Sequence, residues 1–287
     1  MQTAPIDAHS TLRDQTTVSD DLSLNSLRVC LLVLLSYCSA TVFVQAAWAL
    51  QAFQIGIFVL LAVYLLRGLW KPQQGREPAG IAWLIYLVPF WGVVQILCHL
   101  TASTFDTRAA ALRWAALAGV FFLSQCTAQK PAARKNLLTA FLAFATAMAV
   151  LCLAQLFTSE GKVLWIFSTG YRDVYGTFPS HNSYAQLVEL ALPIVLWRAL
   201  REGWRSWWYL LSAGVLYASV IGSASRAGAL LCTLELLAML AIGLRRLRDP
   251  ETGTLSKSAV TVLVAVPVLA MGFTLAVGWQ NVWQRFQ

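Results

Sequence analysis

The chain has 287 residues, 58% of them apolar and only 12% charged, and its mean hydropathy is +0.63. Soluble domains carry about a quarter charged residues, so a single water-facing core that hides this much hydrocarbon is excluded and lipid must cover the remainder. The net charge of +8 is dispersed over the ends of apolar stretches, which excludes nucleic-acid binding through a concentrated basic footprint.

Residues 1–26 are polar, with Asp7, Asp14, Asp20 and Asp21 set against Arg13, and read as a disordered cytoplasmic tail. Nine apolar stretches follow, at 27–44, 48–66, 80–100, 109–126, 137–157, 183–200, 207–221, 227–244 and 259–278. Each approaches the roughly 20 residues that a helix needs to cross hydrocarbon. Only a weakly polar turn near Gln45 and Gln51 separates the first two, and one continuous helix there would outrun a bilayer, so a tight hairpin is expected. Val44-Gln45-Ala46 has the form of a signal-peptidase site, but the preceding region is long and poorly basic, which favours a retained anchor. The expected fold is all-α: a polytopic helical membrane protein with about nine transmembrane helices over residues 27–278. No internal repeat of the kind found in secondary transporters is visible.

Of the 21 Lys and Arg residues, 13 fall in the even-numbered connections and 6 in the odd-numbered ones. The positive-inside rule then places the N-terminus and the even connections in the cytoplasm and the odd connections outside. Trp48, Trp70, Trp83, Trp197, Trp204, Trp207, Trp208, Trp279 and Trp283 lie near span ends, as interfacial aromatic belts do. The six cysteines (Cys30, Cys38, Cys98, Cys126, Cys152 and Cys232) lie in apolar runs without a Cys-x-x-Cys pair and read as small buried hydrophobes. Without a Gly-rich phosphate loop, a dinucleotide fingerprint or a zinc signature, neither a cofactor nor a metal is expected.

Two polar turns on the expected outer side hold the chemistry. The first, Gly170-Tyr171-Arg172-Asp173-Val174-Tyr175-Gly176-Thr177-Phe178-Pro179-Ser180-His181-Asn182, leads into the sixth span; the second, Gly222-Ser223-Ala224-Ser225-Arg226, joins the seventh to the eighth. Each sets an arginine at the mouth of a helix, and two converging cations at a membrane surface suggest a site for an anionic, lipid-linked ligand. Guanidinium suits bidentate phosphate contacts, and a helix N-terminus adds free donors and partial positive charge. The blander alternatives are a solvated Arg172 paired with Asp173 and an Arg226 that snorkels to the interface.

Asn182 or Ser183 is placed to cap the sixth helix. Glu189 and Glu235 lie within spans, on the order of 10–14 Å below the outer surface at the helical rise. Ionisable groups at that depth usually face a cavity and a partner, or else make a structural bond between helices. His181, at the helix mouth, has the pKa range of a proton acceptor, with packing or capping as the alternative. His99 and Asp106 share another outward end without further support.

The run from Arg172 through Gly176-Thr177-Phe178-Pro179-Ser180-His181-Asn182-Ser183-Tyr184-Ala185, followed by Leu187 and Pro193, resembles the O-antigen ligase family. That superfamily includes O-antigen polymerases and protein O-oligosaccharyltransferases. Ser225-Arg226-Ala227-Gly228 looks like its Ser-Arg-Gly/Ala turn, and Trp283-Gln284-Arg285-Phe286 looks like the start, at 279–287, of its large periplasmic loop. The likeness covers about residues 137–287, and the earlier spans match in hydropathy alone.

This resemblance implies a metal-independent enzyme of the bacterial inner membrane, acting in lipopolysaccharide or surface-polysaccharide biosynthesis. It would transfer a glycan from an undecaprenyl-diphosphate carrier to a lipid A-core, polysaccharide or protein acceptor at the periplasmic face. Arg172, Arg226, Asn182 and Ser225 would hold the diphosphate. The family's catalytic base lies in the loop beyond Gln287, with His181 or Glu189 assisting, so the chain is expected to be an N-terminal part of such a protein. The competing readings are a proton-coupled transporter or flippase built on Glu189 and Glu235, and a non-catalytic membrane scaffold.

Overall fold

A computed structural model describes residues 8–44, 46–70, 83–168, 174–202 and 207–246, together with 264, 268, 271 and 272. These residues form eight helices and one small hairpin: α1 (Ala8–Ala40), α2 (Ala47–Trp70), α3 (Leu84–Leu97), α4 (Thr104–Thr127), α5 (Pro131–Thr158), β1 (Lys162–Val163), β2 (Phe167–Ser168), α6 (His181–Glu202), α7 (Trp207–Gly222) and α8 (Arg226–Arg246). Four stretches are long and apolar enough to cross a membrane: Ser23–Ala40, Ala47–Leu69, Thr104–Thr127 and Pro131–Leu156. Leu84–Leu97 and Trp207–Gly222 are apolar but shorter. The chain is therefore mostly helical and of membrane-protein type. The expected ninth span at 259–278 and the segment 279–287 lie outside the described residues, save for the four isolated positions.

The chain divides into two units, one of residues 1–38 and 45–138 and the other of residues 39–44 and 139–287. In the first, α1 starts at Ala8, so helix includes much of the stretch expected as a tail. Neither Gly nor Pro occurs between Ala8 and Ala40, so nothing in the backbone interrupts the helix once it has begun. Leu27 and Leu31 of α1 pack with Phe53, Ile57 and Tyr64 of α2 and with Ala116 and Leu123 of α4. Gly56 admits the close approach of Leu34, whose Cδ2 would lie 2.6 Å from a Cβ at that position. The opposite face of α2 exposes Ile55, Val59, Val63 and Leu66. A helix that is apolar on its inner and outer faces alike is suited to lipid on the outer one.

The 14 residues of α3 extend only about 21 Å, short of a full hydrocarbon crossing. Its partner α4 begins five residues before the predicted span, because the Ser103 hydroxyl accepts the Asp106 backbone N–H at 3.3 Å and caps it. The cysteines divide: Cys152 and Cys232 are buried, Cys38 and Cys126 half-buried, whereas Cys30 and Cys98 are exposed. The expectation that all six are buried is thus corrected for two, since an apolar run surrounded by lipid presents its outer face as readily as its inner one.

In the second unit α5 and α7 run one way and α6 and α8 the other. The C-terminal Gly222 of α7 lies against Leu153 and Leu156 near the C-terminus of α5, while Gly228 of α8 lies against Ala185 of α6, both near their N-termini. Tyr184, Val188, Leu192 and Leu196 of α6 pack with Leu216 and Val220 of α7, Cys152 of α5 and Cys232 of α8. Toward the other end of α6, Arg198 is buried and donates to Thr139 Oγ1 at 2.7 Å and Tyr209 OH at 2.8 Å, joining α5, α6 and α7.

The connection from α5 to α6 is not the plain loop read from the sequence. The strands β1 and β2 pair antiparallel, and Leu164 and Trp165 turn between them at φ of 52° and 60°. Phe43 packs on Phe167 with ring centroids 5.3 Å apart, so the segment after α1 rests on this hairpin.

Candidate functional site

Of the candidate residues, His181, Asn182, Ser225 and Arg226 lie at the end of the second unit where α6 and α8 begin. Tyr175 and Phe178 exchange backbone hydrogen bonds of 3.1 and 3.0 Å, closing a tight turn over Gly176 and Thr177. Gly176 takes φ +65°, and a Cβ there would also lie 2.9 Å from Met148 Sδ, so conformation and space both select glycine. Thr177 is buried and donates to the Ser39 carbonyl at 2.6 Å, anchoring the turn to residues 39–44 of the same unit. The Gly-Thr-Phe motif is therefore the device that positions the start of α6.

Ser180, and neither Asn182 nor Ser183, caps α6. Its carbonyl accepts from Tyr184 N at 3.1 Å and its Oγ from Ser183 N at 3.5 Å. Because Asn182 does not cap its own helix, its side chain can reach α8: Oδ1 accepts the Ser225 hydroxyl at 2.9 Å. Ser225 is buried, caps α8 by accepting from Gly228 N at 3.2 Å, and accepts Ala229 N on its carbonyl at 2.8 Å. One hydroxyl thus caps one helix and ties it to the mouth of the next. With its proton on Asn182, Ser225 has none left for a ligand.

The result is two helix N-termini held side by side. Neither α6 nor α8 has an acidic residue in its first turn. Arg226, the exposed first residue of α8, adds a full positive charge where the helix already presents a partial one. Helix N-termini of this kind favour a bound anion. The bond to Ser225 uses only the carbonyl oxygen of Asn182, whose amide nitrogen is a further donor. Arg172, the other expected diphosphate ligand, lies outside the described residues, as do Gly170, Tyr171 and Asp173.

His181 and Glu189 do not converge on one point. Eight residues separate them on α6, a rise of about 12 Å. His181 is exposed at the mouth and stacks edge-on against Tyr175, with centroids 6.0 Å apart. Glu189 is half-buried, in electrostatic reach of Glu235 and Cys232 on α8. Glu235 Oε2 is buried without a hydrogen-bond partner.

Three buried polar features were not singled out by sequence reasoning. Tyr184 donates to Ser219 Oγ across α6 and α7, Arg198 clamps Thr139 and Tyr209, and Gln155 is buried near the end of α5. A tyrosine or an arginine inside an apolar run is a legible signal, but its partner comes from another helix and has no fixed spacing.

The fold and this end of it define a helical membrane protein with a cationic, donor-rich mouth. Neither known protein families, nor curated proteins, nor solved structures show a match to the chain.

Proposed function

We propose that the protein transfers a glycan from an undecaprenyl-diphosphate carrier to an acceptor hydroxyl, in the manner of O-antigen ligases. On this reading about nine helices span the bacterial inner membrane with the N-terminus inside, and the mouth of α6 and α8 faces the periplasm. The observation that carries it is the pair of acid-free helix N-termini, joined by the Ser225–Asn182 bond with Arg226 at their rim. Arg226, Arg172 and the free backbone donors would hold the diphosphate. As the acceptor oxygen bonds to the anomeric carbon, the bond from that carbon to the phosphate oxygen breaks and the diphosphate leaves with the electron pair. The same cations and donors stabilise its growing charge, and a base takes the acceptor proton. His181 is placed to assist there, whereas Glu189 sits too deep to reach the same hydroxyl. The acceptor is a lipid A-core sugar, a growing polysaccharide or a protein hydroxyl; ligase, polymerase and protein oligosaccharyltransferase share this chemistry.

The test is transfer of labelled glycan by membranes carrying the protein. Replacing Arg172 or Arg226 by alanine should abolish transfer with membrane insertion unchanged; full transfer in both variants rules the assignment out.

One observation favours a second reading. Glu189 on α6 and Glu235 on α8 lie within electrostatic reach of each other, as a proton-coupled transporter or flippase requires. That reading requires solute movement in vesicles without any lipid-linked sugar, lost in Glu189→Gln and Glu235→Gln.

A further inference from the structure

Gln155 lies in the last turns of α5 and is 1% exposed, yet neither its Oε1 nor its Nε2 has a hydrogen-bond partner. The backbone around it is fully engaged: its carbonyl accepts Ser159 N at 3.0 Å and Ser159 Oγ at 2.7 Å. Only the carboxamide is left over. Buried polar side chains of native proteins are almost always paired, with protein, with ordered water or with a ligand.

Its height in the unit follows from its neighbours. Cys152, one turn earlier on the same face of α5, interacts with the Tyr184 hydroxyl, which in turn donates to Ser219 of α7. Because α5 and α7 run the same way, three residues beyond Cys152 is level with three residues beyond Ser219, which is Gly222. Leu153 and Leu156 do lie against Gly222. Gln155 is therefore level with the Gly222–Arg226 turn, at the end of the unit where α6 and α8 begin. The serine hydroxyls of that turn have no proton left for its Oε1: Ser223 donates to the Val220 carbonyl at 2.8 Å and Ser225 to Asn182.

The chemistry of the missing partner is constrained. A carboxamide offers donors and an acceptor together. Phosphate oxygens would satisfy Nε2 and leave Oε1 bare, whereas a hydroxyl or an acetamido group satisfies both. We propose that Gln155 is a ligand-binding residue of the mouth of α6 and α8, hydrogen-bonding a hydroxyl or acetamido group of the sugar attached to the diphosphate. This rests on the glycan-transfer reading and adds to it the residue that distinguishes a sugar-bearing lipid from the bare diphosphate.

The test uses the full chain in detergent micelles, with two probes, undecaprenyl diphosphate and undecaprenyl diphosphate bearing N-acetylglucosamine. Gln155→Leu and Gln155→Met are compared with the wild type for thermal unfolding and for affinity. The amide has no partner in the free protein, so both variants should unfold within about 1 °C of the wild type or above it. Affinity for the sugar-bearing lipid should fall about tenfold or more, and that for undecaprenyl diphosphate should hold. Lower unfolding temperatures in both variants would mean that the amide has a protein partner and overturn the proposal. Unchanged affinity for the sugar-bearing lipid would do the same, leaving only an ordered water at Gln155. A wild-type chain that binds undecaprenyl diphosphate but shows no preference for the sugar-bearing form overturns this inference alone; one that binds neither probe overturns the glycan-transfer reading with it.

Discussion

Gly228→Ala is expected to loosen the mouth of α6 and α8 although it adds only one methyl group. Helix propensity alone favours alanine by up to about 1 kcal/mol. The packing opposes it: the new Cβ would lie 2.4 Å from Ala185 Cβ and 3.0 Å from Ser225 Oγ. Carbon atoms in contact rest about 3.5–4.0 Å apart, so α6 and α8 must part by roughly 1–1.5 Å. The same movement stretches the Ser225–Asn182 bond from 2.9 Å to about 4 Å, beyond hydrogen-bond range. Overpacking of this kind costs about 1–3 kcal/mol and the lost bond about 1 kcal/mol, so the net effect is destabilisation of about 1–3 kcal/mol. Thermal unfolding of the purified chain in detergent measures it. Moving the methyl across the interface, with Ala185→Gly added, should recover most of the loss. A Gly228→Ala protein as stable as the wild type, or more so, would refute the close approach of the two helices.

Three further outcomes are expected from other parts of the second unit. Arg198→Met should destabilise by about 1.5–3 kcal/mol, because it strips charged hydrogen bonds from Thr139 and Tyr209, whereas Arg201→Met at an exposed site should stay within about 0.5 kcal/mol; unfolding curves of the two separate them. Thr177→Val should cost about 1–2 kcal/mol, as the Ser39 carbonyl loses its donor, again read by thermal unfolding. A cysteine at exposed Ile166 should react with a membrane-impermeant maleimide added outside intact cells, and one at exposed Trp208, toward the other end of the unit, should react only after lysis; the reverse pattern would invert the proposed sidedness.

Much of the helical frame was legible. Pro179 and Ser180 before α6, Gly203 after it, and the Gly222–Ser225 turn before α8 bracket helices that begin or end within two residues of the apolar runs. Where apolar length was the only guide, the reading fell short. The polar residues of α1 from Ala8 onward are helix-compatible without being hydrophobic, and α4 starts early because a serine cap, not hydropathy, decides its first turn. Likewise, the aromatic tip of the β1–β2 hairpin carries Leu164 and Trp165 at positive φ, which no glycine marks.

The candidate site shows the same division. The Gly176 turn and the serine at the head of α8 were visible as motifs. The bond between Ser225 and Asn182 joins residues 43 apart in sequence, and Gln155 reaches the same level from a third helix. Such meetings are set by the crossing of helices, so no local spacing announces them. For the same reason Glu189 and Glu235 read separately as deep carboxylates, and only packing of α6 on α8 makes them neighbours.

The proposed function stands on binding of a lipid-linked diphosphate by the joined N-termini of α6 and α8, with Arg226. Its most direct measurement is the affinity of the purified chain for undecaprenyl diphosphate, wild type against Arg226→Ala. Loss of a charge-assisted contact of about 1.5–3 kcal/mol should weaken binding roughly 10- to 100-fold. Equal affinity of the two proteins for undecaprenyl diphosphate would contradict it.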